Sequence, residues 1–176
     1  QVIDEALSGT WEALTSDRAD LIIGVSGDEP AGANCQRHCL GNLHMRLCCS
    51  PDHPAAQLAQ PINREQLKDF THIFVNDSAS YLPQRNVGLL GIRQTLSVSN
   101  LQQKVSALGH GVGISHLPSY LADPMFETGQ LVNLDTEAEH SFNPFYMSWK
   151  PSQSGKANDW LREKIIEEQV LAHLLS

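Results

Sequence analysis

The sequence lacks several features that would each define a broad class of protein. No apolar run approaches the ~20 residues that a membrane-spanning helix needs. Basic residues are few: 12 lysines and arginines stand against 20 aspartates and glutamates, which gives a formal net charge of −8. Because an acidic surface repels phosphate backbones, we do not expect the chain itself to bind nucleic acid. Residues 1–5 have neither the basic nor the apolar segment of a secretory signal, so we expect a cytoplasmic protein.

Cysteines are also few, and all four lie in the stretch CQRHCLGNLHMRLCC at 35–49. Four cysteines in a chain of this length are too few for a disulfide scaffold. Cys35 and Cys39 are spaced like one pair of zinc ligands. However, Cys48 and Cys49 are adjacent, and adjacent side chains on a strand point to opposite faces, so the two cannot easily share one ion. We therefore predict reduced thiols, no metal site and no cofactor.

The sequence also carries no recognisable catalytic motif. Gly24-Val25-Ser26-Gly27 lacks the second glycine position of a nucleophile elbow. The glycines of 109–113 close a helix and open a strand, whereas a dinucleotide-binding motif does the reverse. Those glycines predict a helix end followed by close backbone packing. We predict that the protein is not an enzyme and has no catalytic residues.

Short helices alternate with apolar strands along the chain, which is typical of the α/β class. The first helix is expected at 7–17 with Ser8 or Thr10 as its N-cap. Asp20 to Val25 is a continuous apolar run, which predicts a strand buried on both faces as in a parallel sheet. The remaining helices are expected at 63–70, 101–108, from Pro118 onwards and at 158–175, with strands at 43–49, 72–75, 96–98, 112–115 and 145–149 and a loop at 27–42.

Three sets of short motifs, taken together, resemble a known family. They are GTWEAL at 9–14 with DRADLIIG at 17–24, LG at 40–41 with SPDHPAA at 50–56, and ALGHGVGISHLP at 107–118. Their order and spacing resemble the effector-binding domain of LysR-type transcriptional regulators. Ala55 stands where that family usually has leucine. The family's first strand and helix of this domain, and its helix-turn-helix DNA-binding domain, do not precede Gln1, so we expect a truncated domain.

The resemblance implies the fold of type II periplasmic binding proteins, with two α/β lobes, two crossover strands and a small ligand in a cleft. Lobe 1 would be residues 1–25 and 147–176, and lobe 2 would be residues 26–146. The implied function is effector sensing: a bound small molecule, such as a carboxylate or an aromatic compound, shifts lobe closure and the geometry of a dimer or tetramer. DNA would be bound only through the absent N-terminal domain. The alternatives are a solute-binding protein of a transporter and, more distantly, an enzyme of the same fold.

The implied effector contacts lie at helix starts and strand ends, where free amides and the helix dipole favour anions. Thr10 could instead only cap its helix, and Ser78 and Ser80 could be turn residues. The expected contacts are Gly9, Thr10, Ser26, Asn76, Asp77, Ser78, Ser80 and Tyr81.

Overall fold

Helices and strands alternate in the computed structural model of the chain, which describes residues 1–85, 91–136, 142–153 and 155–175. The α-helices are α1 Ser8–Thr15, α2 Arg64–Leu67, α3 Leu101–Gly109, α4 Ser119–Glu127 and α5 Lys156–Glu167. The strands are β1 Leu21–Val25, β2 Gln36–Cys49, β3 Thr71–Val75, β4 Gln94–Val98, β5 Ser115–Pro118, β6 Val132–Asn133 and β7 Phe142–Trp149. Short 3-10 turns lie at Pro54–Gln57, Pro151–Gln153 and Ala172–Leu174. The predicted α/β class is confirmed.

The chain divides into two compact units. Unit 1 comprises Gln1–Leu43, Asp77–Arg85 and Phe142–Ser176, and unit 2 comprises His44–Asn76 and Asn86–Ser141. These bounds differ from those of the two lobes expected from the sequence, since unit 1 includes segment 77–85 and the first part of β2. The lobe bounds themselves stay a prediction.

Unit 1 is built on strands β1, β7 and the first part of β2, in that order. β1 runs antiparallel to β7, with Leu21 opposite Trp149, and its core-facing residues pack against α1. The expectation of a parallel, doubly buried strand is therefore wrong, since Ile23 on the other face is 42% exposed. The buried core of this unit consists of Trp11, Leu14, Ile22 and Val25.

Unit 2 contains two further clusters of buried apolar side chains. The second part of β2 pairs antiparallel with β5 and with β6, while β3 and β4 pair parallel to each other. Cys48 and Cys49 are neighbours in sequence but belong to different clusters, because side chains alternate across a strand. Both cysteines are fully buried, as expected for small core residues.

Two of the predicted helix starts are confirmed and one is wrong. Asn63 accepts from the Gln66 amide while the Gln66 side chain accepts from the Asn63 amide, which completes a capping box. Asn100 caps α3 through the Gln103 amide at 2.9 Å. α1 instead has Leu7 as its N-cap residue, which makes no side-chain cap.

The glycines at 109–113 behave as the sequence predicts. α3 ends at Gly109 and Gly111 adopts a left-handed φ of 68°, which is the usual position of a helix-ending glycine. A Cβ atom on Gly113 would overlap the carbonyl oxygen of Thr71. This residue therefore allows the backbone to pass close to β3.

Two further expectations about local structure are wrong. Cys39 lies on strand β2 and not in a loop, since this strand already begins at Gln36. The last α-helix ends at Glu167 instead of continuing to 175, and Gln169, just after its end, has a left-handed φ of 46°.

All four cysteines are free thiols. In the described part of the chain, no helix combines the length and the apolar character needed to cross a membrane.

Candidate functional site

The first turn of α1 is preceded by a tight backbone turn at Ala6 to Gly9. The Gly9 amide donates to the Ala6 carbonyl at 3.0 Å, and Leu7 has φ 52° and ψ −120°. These angles are those of the second residue of a type II′ turn, a conformation that a side chain normally disfavours. The turn leaves the first amides of α1 without helical acceptors, as at any helix start.

The Asp77 carboxylate occupies these amides. Its Oδ2 accepts from the Ser8 amide at 3.1 Å and its Oδ1 accepts from the Gly9 amide at 3.1 Å. The same two oxygens accept from the amides of Arg85, at 2.7 Å, and Ala79, at 2.9 Å. Partial burial alone would raise the pKa of Asp77, but the hydrogen bonds from Arg85, Ala79 and Ser8 bring it below its ordinary value. Asp77 is therefore a stably ionised carboxylate at neutral pH.

Ser78 adds a second contact beside the turn. Its Oγ accepts from the Ala6 amide at 2.9 Å and donates to Glu5 Oε2 at 2.5 Å. A Cβ atom on Gly9 would overlap the Ser78 side chain. Glycine at position 9 is therefore required by this close approach.

Glu12 binds the backbone of the residues that follow Ser78 and Ala79 in the chain. This side chain lies one turn further along α1 and accepts from three consecutive amides, those of Ser80 at 2.9 Å, Tyr81 at 2.7 Å and Leu82 at 3.0 Å. The hydrogen bonds from the Tyr81 and Leu82 amides lower the pKa of Glu12, because they favour its ionised form. Glu12 is only 6% exposed, so its charge is balanced by backbone donors inside the protein.

Segment Asp77–Arg85, here called the strap, is fixed at its other end by Arg85. The Arg85 guanidinium donates from Nη1 to the Ser26 carbonyl at 3.0 Å and from Nη2 to the Asp28 carbonyl at 3.1 Å. In the middle of the strap, the Pro83 carbonyl accepts from Ser8 Oγ at 2.9 Å. All of these contacts lie within unit 1.

The arrangement around α1 is suited to binding a carboxylate. Two adjacent amides at a helix start receive one carboxylate with one hydrogen bond to each oxygen, a geometry that helix N-termini offer to anions generally. Over the described residues, no three His, Cys, Asp or Glu side chains are placed to hold a metal ion.

The sequence profile of the family "LysR substrate binding domain" matches residues 3–169. The chain belongs to the LysR substrate binding domain family. Among curated relatives, it is 30% identical over 170 residues to the uncharacterized HTH-type transcriptional regulator YeeY of Escherichia coli, covering 97% of this chain and 55% of YeeY. The chain thus spans about half the length of the curated regulators that it matches.

Solved structures of LysR-type regulators share the fold at lower identity. The regulatory domain of MetR from Neisseria meningitidis matches with a TM-score of 0.69 and 22% identity, over 92% of this chain and 75% of that one. Full-length LysG from Corynebacterium glutamicum with bound effector Arg matches with a TM-score of 0.65 and 16% identity, over 97% and 57%. The fold is that of the LysR regulatory domains, the type II periplasmic-binding-protein class expected from the sequence.

The structure brings five of the eight expected LysR effector contacts together at α1. The side chain of Asp77 binds the Gly9 amide, Ser78 lies against Gly9, and the amides of Ser80 and Tyr81 bind Glu12. These polar groups are thus already engaged with one another. Their role as effector contacts stays a prediction.

Among the residues that the structure describes, the side chains of the other three expected contacts take no part in the hydrogen bonds between α1 and the strap. Thr10 is half-buried, and its hydroxyl makes no hydrogen bond within the described residues. Ser26 is exposed and takes part through its carbonyl, which accepts from Arg85. Asn76 belongs to unit 2, where its amide donates to the Val98 carbonyl at 2.9 Å.

Sequence reasoning missed Glu12 and Arg85 and predicted Ser8 only as a helix cap, although each of the three holds the strap. One signal for Glu12 was present, since a carboxylate follows Trp11 and precedes Ala13 and Leu14 on the apolar part of a short helix. A charged side chain among core residues calls for partners. No local pattern marks Arg85, because its acceptors are backbone carbonyls that are 57 and 59 residues away in sequence.

Proposed function

We propose that the chain is the effector-sensing regulatory domain of a LysR-type transcriptional regulator, acting in the cytoplasm. The observation that carries this proposal is the family match over residues 3–169. A bound effector shifts the population between conformations of the domain, and this shift changes how a dimer or tetramer presents its DNA-binding domains. The family match does not favour the alternative of a solute-binding protein.

We further propose that the effector is a small molecule with a carboxylate group. Support comes from the first turn of α1, where the Ser8 and Gly9 amides already receive a carboxylate. LysG, a structural neighbour, is described with bound arginine, which is itself a carboxylate. The eight predicted contacts are part of this proposal. Thr10 among them is half-buried on α1 and follows Gly9 directly in sequence.

A thermal-shift screen of the chain against small aliphatic and aromatic carboxylates tests this function. A ligand at 100 times its Kd stabilises the folded state by about 2.7 kcal/mol, which raises Tm by several degrees. We expect at least one carboxylate to produce such a shift while its amide analogue produces none. Thr10→Ala should reduce the shift, whereas the matched variant Thr95→Ala, on exposed strand β4, should keep it.

Two results of the screen would contradict the proposal. If no carboxylate changes Tm at millimolar concentration, the chain does not sense this class of compound. If Thr10→Ala and Thr95→Ala reduce the shift equally, the effector binds elsewhere in the domain.

A further inference from the structure

The Asp77 carboxylate reproduces the contacts that a free carboxylate would make at the start of α1. Each of its oxygens accepts from one α1 amide, Oδ2 from Ser8 and Oδ1 from Gly9, both at 3.1 Å. Each oxygen also accepts from one amide of the strap itself, Arg85 or Ala79. The α1 amides are therefore saturated by a carboxylate that belongs to the same chain.

The strap is held mainly by polar contacts. Glu12 receives three of its amides, and Ser78 binds the turn before α1. Its apolar anchoring is small: Ala79 is buried and Leu82 is half-buried, but Tyr81 is 89% exposed. The strap is therefore held mainly by hydrogen bonds to carboxylates, which another carboxylate can replace in kind.

The core next to the strap contains an unsatisfied donor. The Trp11 indole is 1% exposed, and its Nε1–H has no acceptor in the described parts of the chain. Leu82 of the strap packs against the cluster that includes Trp11. A buried donor without a partner is uncommon in a folded protein, and here it lies in the core cluster against which the strap packs.

We propose that the strap is an autoinhibitory element, in which the Asp77 carboxylate occupies the place that an effector carboxylate takes at the Ser8 and Gly9 amides. This inference rests on the proposed sensing function. While the strap is docked, an effector finds no free amide at α1, so its apparent affinity is reduced by the fraction of molecules in which the strap is released. When the effector binds, its carboxylate replaces the Asp77 carboxylate at the Ser8 and Gly9 amides.

The exchange can be tested by removing the internal carboxylate and supplying a free one. Amide hydrogen exchange of Ser8 and Gly9 is measured in the wild-type chain, in Asp77→Ala and in Asp20→Ala, a control that removes an exposed carboxylate before β1. Sodium acetate is the probe and acetamide is its neutral match. In Asp77→Ala, we expect the Ser8 amide, whose acceptor is Asp77, to exchange at least tenfold faster, and the Gly9 amide, which also donates to the Ala6 carbonyl, to accelerate less. Sodium acetate at 50 mM should restore protection where acetamide does not.

The wild-type chain and the control should respond differently. In both, the two amides should stay protected, and acetate should change their exchange less than twofold. If Asp77→Ala leaves the exchange of Ser8 and Gly9 unchanged, or if acetate protects wild type and variant alike, Asp77 does not occupy an anion site.

A second variant covers the case in which Asp77→Ala does not fold. Asp77→Asn keeps the shape and one acceptor oxygen, so we expect an intermediate acceleration that acetate partly reverses. Unchanged exchange in Asp77→Asn would overturn the proposal on its own. If acetate rescue fails while a carboxylate still raises Tm in the thermal-shift screen, the strap is not inhibitory although the domain senses carboxylates. If rescue succeeds and the screen finds no ligand, the sensing function is wrong.

Discussion

Asp77 and Glu12 stabilise the strap because a carboxylate is the side chain best able to accept from several amides at once. Asp77 accepts from four amides and Glu12 from three. Hydrogen bonds to an ionised acceptor are stronger than those between neutral groups. Both contacts therefore depend on ionisation, and the strap depends on pH.

Acid should weaken the fold through these two residues. Their pKa values in the folded protein lie below the ordinary values of 4.5 for glutamate and 3.8 for aspartate. A depressed folded-state pKa contributes stability that is complete above the unfolded-state value and is lost as pH falls through the folded-state value. We expect the urea midpoint to fall below about pH 4.5, and to fall less steeply in Glu12→Gln, which cannot titrate at this position.

The control for this experiment is Glu163→Gln, which removes an exposed carboxylate on α5. At pH 7, Glu12→Gln should be the less stable of the two, because the neutral amide oxygen accepts more weakly from the three strap amides than the carboxylate does, and the amide NH2 cannot accept at all. Parallel pH profiles of the wild-type chain and Glu12→Gln between pH 5 and 3 would show that Glu12 is not linked to stability.

The four thiols should react in a fixed order. Cys39 is exposed, and burial raises the pKa of the half-buried Cys35 thiol. Burial also raises the pKa of Cys48 to about 12 and that of Cys49 to about 11, and both side chains are inaccessible. Because the thiolate is the reactive form, a thiol reagent at pH 8 should modify Cys39 first, Cys35 more slowly, and the other two only in denaturant. Peptide mapping after timed labelling measures this order, and early labelling of Cys48 would contradict it.

At the scale of secondary-structure elements, the sequence predicts what is local. Asn63 and Asn100 cap their helices because the acceptor and its amide lie within one turn. Gly111 ends α3 for a similarly local reason. Elements whose form depends on distant residues were predicted less well.

β1 and the start of α1 illustrate the second case. A run such as Leu21–Val25 is compatible with either pairing direction, and only its partner β7, more than 100 residues later, makes it antiparallel. The α1 amides are capped by Asp77, which lies 68 and 69 residues away, so no pattern around Leu7 announces it. The family resemblance predicted Gly9, Asp77 and Ser78 as effector contacts, but not that they bind one another.

Removing a local cap provides a test at this scale. In Asn100→Ala, the Gln103 amide loses its acceptor, and we expect the free energy of unfolding to fall by about 1 kcal/mol. Gln102→Ala, at an exposed position of the same helix, should change it by less than about 0.5 kcal/mol. Urea denaturation of both variants measures the difference, and equal stabilities would mean that the cap contributes nothing.

For the molecule as a whole, the family and the fold class follow from motifs spread over most of the chain, whereas the place of segment 77–85 in unit 1 does not. Segment 77–85 clusters with unit 1 although it follows β3 of unit 2 in sequence. Only tertiary contacts, such as those from Glu12 and Arg85, determine this membership. The order of motifs along the chain does not predict which unit such a segment packs in.

The net charge of −8 leads to a prediction for the whole chain. Nonspecific binding to DNA is driven by cationic side chains that neutralise phosphates. We therefore expect no change in the fluorescence anisotropy of a labelled 20-base-pair duplex with up to about 50 µM chain at physiological salt. A basic peptide measured beside it shows that the duplex can report binding. Saturable binding by the chain with a Kd below about 1 µM would refute the expectation.

The close approach of Gly9 to Ser78 makes position 9 a genetic reporter of the strap. Any other amino acid places a Cβ atom in the space that the Ser78 side chain occupies. Every substitution at position 9 should therefore weaken the binding of the strap to α1. In a living cell, a saturation library at position 9 would then separate into two phenotypes, glycine and everything else. If docking represses the effector response, the alleles other than glycine should be dominated by constitutive responders, and the size of the new side chain should matter little.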